Sequence, residues 1–155
     1  MHAEAQSDPH LALLCKSIQN ATVVMLTSLD ADGAMLTRPM APLEMDRSGG
    51  LWFFTDLRSA HIEHLRTANV SFADPAGGTY VSLFGRSEVC TDRARIERLW
   101  TTFANAAFPA GADSMYLALL KFVADPAERW DATDGNMRRM FAEAPSGADE
   151  KRYDA

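Results

Sequence analysis

Short runs of apolar and β-branched residues, each closed by a polar turn, follow one another along this chain, and that order restricts the fold more than any other feature. Residues 21 to 29 (Ala-Thr-Val-Val-Met-Leu-Thr-Ser-Leu) have strand composition. Asp30-Ala31-Asp32-Gly33 is a hairpin signal, and residues 34 to 45 read as the returning strand. Pro39 and Pro42 remove two ladder donors from it, which predicts an edge position or a bulge. After a turn at residues 46 to 50, residues 51 to 55 form a short apolar strand. Further strands are expected over 68 to 73, over 79 to 91 with a bulge or kink at Gly85, and over 115 to 124. Arg129-Trp130-Asp131 is a candidate extension of the last one. Helices are expected over 9 to 19, 59 to 67, 92 to about 107, and 136 to 144. Strand–turn–strand is commoner here than strand–helix–strand. That favours a small antiparallel barrel with helices packed outside it, an α+β fold, over a doubly wound parallel sheet.

The chain has 155 residues, enough for one domain with a real core. We expect that domain over residues 1 to 144 and a flexible tail over 145 to 155, which is small and polar. A net charge of −6 argues against nucleic acid as a partner, because phosphate backbones select basic faces. No apolar run is long enough to span a bilayer, and residues 1 to 10 lack the basic start of a secretory signal. The expected location is therefore the cytoplasm, with no membrane partner. There Cys15 and Cys90 are expected as free thiols, and neither has metal-ligand spacing. His2 and His10 lack ligand partners, so no metal site is expected.

Residues 37 to 65 carry the candidate chemistry. Thr37-Arg38-Pro39-Met40 lies on one strand, and Phe54-Thr55 ends the next. Ser59 and His61 follow at the expected start of a helix. An Arg beside hydroxyl and imidazole donors suits a phosphate, because the guanidinium fork gives two parallel charge-assisted bonds. Ser59 also reads simply as a helix cap. Trp52, Phe53, Trp100 and Phe103 read as core or interface, and Asp92, Arg93, Arg95, Glu97 and Arg98 as a solvated helix face without function. No Ser/His/Asp triad and no acid–base carboxylate pair is visible, so the catalytic residues are unassigned.

In the order and spacing of these pieces the chain resembles the flavin-binding split β-barrels of the pyridoxamine 5'-phosphate oxidase-like superfamily, and most closely the bacterial general stress protein branch. Thr37 to Met40, Leu51 to Asp56, Ser59, Val81 to Glu88 with Gly85-Arg86, and Glu128 to Asp131 carry the likeness. It implies an antiparallel split barrel and a homodimer with flavin mononucleotide (FMN) at the subunit interface. It also implies redox chemistry on a small organic substrate. Carried onto this chain, the cofactor-binding residues are Arg38, Pro39, Met40, Phe54, Thr55, Ser59, His61, Tyr80 and Trp130. Ala60 and His61 stand where the family often has basic residues. Leu43 replaces a lysine of the oxidase itself, and Tyr80 an amide, so the likeness extends to the flavin fold more than to oxidation of pyridoxamine phosphate. Alternatives of the same fold are a flavin-binding sensor without turnover, or a dimer that takes haem or a deazaflavin.

Overall fold

The computed structural model describes residues 1–59, 62, 65–101, 104–133 and 136–139, with residues 10, 126–133 and 136–139 described by backbone alone. A two-residue strand, β1 (His2–Ala3), precedes helix α1 (Pro9–Ile18). The hairpin follows as β2 (Val24–Leu29) and β3 (Met35–Met40), and then β4 (Glu44–Met45) and β5 (Leu51–Asp56). Next come β6 (Thr67–Asp74), β7 (Thr79–Cys90), helices α2 (Arg93–Leu99) and α3 (Ala104–Ala107), β8 (Leu117–Thr133) and β9 (Asn136–Arg139). The strands join in the order β1-β4-β5-β8-β7-β6-β2-β3, with β9 on β8. Every pairing is antiparallel except that of β1 with β4. The result is an α+β split barrel.

The turn chemistry is local. Asp30 Oδ1 accepts the N–H of Asp32 and of Ala34, and Gly33 at φ 82° completes the hairpin. The prolines act as expected: β3 is an edge strand, and the run of residues 34 to 45 breaks after Met40 and resumes at Glu44. Gly85 marks a register shift, Leu83 pairing with Arg129 but Gly85 with Ala124. A Cβ at Gly85 would lie 2.2 Å from the Val123 carbonyl oxygen, so the close crossing of β7 and β8 needs glycine.

Two apolar clusters explain why β5 is buried on both faces. Leu51 and Phe53 point into the barrel with Leu26, Val70, Leu83, Leu120 and Phe122, which α1 covers through Leu14 and Ile18. Trp52 and Phe54 point the other way, against Ile96 and Leu99 of α2, Ala104 of α3, and Leu117 and Leu119. A strand between two apolar layers reads as a continuous apolar run rather than an alternating one.

Three expectations are corrected. The helix expected over 59 to 67 stops short of its end, since Thr67 already belongs to β6; the Ile62 N–H reaches the Ser59 carbonyl at 3.1 Å, and residues 60, 61, 63 and 64 lie outside the described residues. The helix over 92 to 107 is divided into α2 and α3. Residues 136 to 139 form a strand, because pairing with Trp130 to Thr133 satisfies their backbone. Phe103 and residues 145 to 155 lie outside the described residues.

Asp92, Arg93, Glu97 and Arg98 are exposed, as expected of a solvated face, but two of its arginines are tied inward. Glu44 is fully buried, and Arg98 grips it with two bonds of 2.7 and 3.0 Å while Arg95 adds one of 3.3 Å. The Arg95 guanidinium lies 4.0 Å from the Trp52 ring centroid, a cation–π contact. These arginines fasten the helix layer to the barrel.

Asp46 organises the adjacent turn. Its Oδ1 accepts from the N–H of Ser48 and of Gly50 and from the Ser48 hydroxyl, and its Oδ2 from Trp52 Nε1 at 2.8 Å. Burial pushes the Asp46 carboxyl up, but those bonds and the Lys121 charge outweigh it and hold the pKa at about 2. A depressed carboxyl stabilises the fold above its unfolded pKa, and the gain is lost as pH falls through about 2. Its size is about 2 kcal/mol. Asp46→Asn should therefore lower stability near neutral pH and flatten the acid limb. Denaturant titrations at a series of pH values measure both.

Candidate functional site

The β-ladder registers define the site. Arg38 stands opposite Leu26 on β2, so its side chain leaves β3 on the face that carries the barrel core. Arg38 Nη1 is shielded from solvent and has no hydrogen-bond partner among the described residues. Burial lowers the guanidinium pKa from its ordinary value, yet an arginine stays protonated through the working range. Ser28 Oγ, on the same face of the neighbouring strand, is also buried without a partner. A shielded guanidinium nitrogen without a partner is costly, as is an orphan hydroxyl, and an anion relieves such a cost.

The barrel is open beside this pair. β4 pairs with Leu51 and Trp52 of β5 only, where the Leu43 N–H reaches the Trp52 carbonyl at 2.8 Å. From Phe53 onward that edge of β5 has no strand beside it among the described residues. The chain before Glu44 diverges from the chain after Trp52, and the opening between them is the split. Its edges are β3, which carries Thr37 to Met40, and the end of β5 with the turn after it, which carry Phe54 to Ser59.

Within those walls the side chains differ in role. Met40 packs against the barrel core, Pro39 is exposed, and Thr55 is buried opposite Ala118. The Phe54 ring lies in the second cluster, edge-on to Trp100 at 5.4 Å and Phe108 at 5.8 Å, which leaves its backbone on the open edge of β5. Ser59 is half-buried, and its N–H meets the Asp56 carbonyl at 3.0 Å. Arg58 folds back on Asp56 with bonds of 3.0 and 2.6 Å and lies 4.4 Å from the Tyr116 ring centroid. The side-chain bond from Arg58, with its backbone N–H, holds the Asp56 carboxyl at about 2. Leu43 packs against the second cluster and brings no charge to the split. Ala60, His61 and His64 lie outside the described residues.

Tyr80 and Trp130 fall elsewhere. Tyr80 is on the outer face of β7, and Trp130 stands opposite Ser82 in the β7–β8 ladder, two positions along. Tyr80 and Ser82 line an apolar hollow of about 480 Å³ with Val23, Met25, Phe72 and Val81. Between β3 and β7 lie β2 and β6, a separation of about 14 Å at ordinary strand spacing. The described candidates thus fall in two places in one chain, Arg38 to Ser59 about the split, and Tyr80 with the Trp130 backbone on β7 and β8. The side-chain orphans Arg38 Nη1 and Ser28 Oγ were invisible in the sequence, because both depend on ladder register.

A family model described as pyridoxamine 5'-phosphate oxidase like matches residues 5–154. The chain belongs to that family. No curated protein matches it. Among solved structures, the general stress FMN/FAD binding protein from Xanthomonas citri shares 29% identity over 81% of this chain and 91% of its own, at a TM-score of 0.64. A protein related to general stress protein 26, from Clostridium acetobutylicum, shares 22% identity over 83% of this chain and 91% of its own, at 0.69. General Stress Protein 26 from Bacillus anthracis shares 14% over 83% and 97%, at 0.68. The last two likenesses speak to the fold alone. Among the described residues no helix is long and apolar enough to cross a membrane, and no group of His, Cys, Asp and Glu is arranged to hold a metal.

Proposed function

We propose that this family member is an FMN-binding redox protein of the cytoplasm that acts on a small organic substrate, and that it works as a homodimer. The observation that carries the reading is the buried, unpartnered Arg38 Nη1 at the mouth of the split, which fits a phosphate. Arg38 and the Ser59 hydroxyl are assigned to the phosphate. The backbone of Pro39, Met40 and Phe54, with Thr55, is assigned to the ring, and His61 to an additional donor. When bound, the flavin supplies hydride chemistry. The protein binds, orients and excludes water, which accounts for the lack of a visible catalytic set.

The dimer reading rests on the outer face. Met25, Leu29, Met35, Tyr80 and Phe84 are all exposed there on β2, β3 and β7, an apolar surface of the kind that a subunit covers. In this reading Tyr80 and Trp130 are assigned to the flavin site of the partner copy. The name of the Xanthomonas citri relative supports the flavin assignment.

Comparison of FMN with riboflavin tests the phosphate role. FMN should bind at least about tenfold more tightly, the worth of one charge-assisted bond, and sedimentation should give two chains per particle. Equal affinities would remove the phosphate from the account.

A further inference from the structure

We propose that the hollow beside Tyr80 is where the substrate binds, and that the substrate is a flat, uncharged aromatic carbonyl compound. This site rests on the flavin reading above and gives it a substrate class. The ladder builds the hollow on one face of three strands. Met25, Ser71 and Ser82 stand in one row across β2, β6 and β7, and Ala73 and Tyr80 stand opposite each other in the next. All five line the hollow. Its volume of about 480 Å³ lies in the range of small-molecule sites, which are mostly apolar with a few placed polar groups.

Two observations limit the occupant. Among the described residues no charged side chain lines the hollow. Along the row, the first cation is Arg139, opposite Trp130 and two strands from Ser82, about 10 Å at ordinary strand spacing. An ion in the hollow would lose water without gaining a counter-charge. The second observation is an oriented donor. Asn69 Nδ2 donates to Ser82 Oγ at 3.0 Å, which leaves the Ser82 proton for another acceptor. Ser71, opposite Ser82, and Tyr80 bring two more hydroxyls to the same face. Hydroxyl donors on an apolar floor suit the carbonyl oxygens of a flat ring. The place also suits a substrate. Tyr80 is assigned to the flavin, and Trp130 stands opposite Ser82, so the hollow adjoins the residues assigned to the cofactor.

The test is an NMR titration of the full chain with coumarin and, separately, with coumarin-3-carboxylate, the same ring system with a negative charge. Both are run on the protein as purified and after FMN is supplied. Coumarin should give saturable shifts of the Ser71, Ala73 and Tyr80 amides, and the carboxylate should bind at least about tenfold more weakly. Ser71→Lys should reverse that order, because the new cation pairs with the carboxylate. Ser71→Val keeps the size and removes the hydroxyl, and should weaken coumarin about fivefold. Arg38→Ala should leave the coumarin shifts in place. Coumarin binding by protein that takes up no FMN would overturn the flavin reading alone, and flavin-loaded protein without coumarin shifts would overturn the substrate site alone. Equal or tighter binding of the carboxylate by the parent chain, or displacement of FMN by coumarin, would also overturn the proposal.

Discussion

Replacing Arg95 and Arg98 together by alanine should produce the largest loss of stability of any surface change in this protein. Both look dispensable from outside, with 28% and 48% of their side chains exposed. Their shared partner is not. Glu44 is fully buried, and the two arginines supply its only ion pairs among the described residues. Removing one side of such a pair strands a charge, at a cost of about 3–5 kcal/mol. For a chain of this size that lowers Tm by about 10 °C. The contact of Arg95 with Trp52 is lost as well. Adding Glu44→Leu to the double variant should recover much of the loss, because an apolar residue of similar size leaves no charge unpaired. Thermal and denaturant unfolding of the double and triple variants measure this. A double variant as stable as the parent would show that the arginines are not what fastens α2 to the barrel.

Arg38→Ala with Ser59→Ala should abolish flavin retention and leave the dimer intact. Each removes one donor assigned to the phosphate. A hydrogen bond to a charged group contributes about 1.5–3 kcal/mol. Losing both weakens binding by at least about a hundredfold. The fold should tolerate the change. Arg38 has an unpartnered nitrogen in a buried position, so its removal relieves a cost as well as losing contacts. Flavin fluorescence titration reads the affinity, and sedimentation reads the dimer. Unchanged affinity would place the phosphate elsewhere.

The strands and turns were legible because their causes are local. Alternation, Asp-Gly turns and the two prolines identify the hairpin and the edge strand without reference to the rest of the chain. Gly85 announced its irregularity in the same way. The helix ends were less legible. Residues 59 to 67 have helical spacing, but pairing with β7 claims Thr67, and residues 136 to 139 are claimed by β8. In each case ladder bonds outweigh a weak local preference. The α2 arginines could not be read because Glu44 lies 51 and 54 residues earlier in the chain.

The candidate site shows the same division. Residue types marked Arg38, Thr55 and Ser59, and the resemblance gave their order. Only the register with Leu26 shows that Arg38 turns toward the core, and only strand order separates it from Tyr80 and Trp130. That separation is what the proposed homodimer would bridge.

The absorbance spectrum of the protein purified without added cofactor shows whether the chain carries flavin. Yellow protein with flavin bands is expected, from which denaturation releases FMN in a ratio of about one per chain, as two sites per dimer require. Colourless protein that takes up no FMN when it is supplied would contradict the flavin reading.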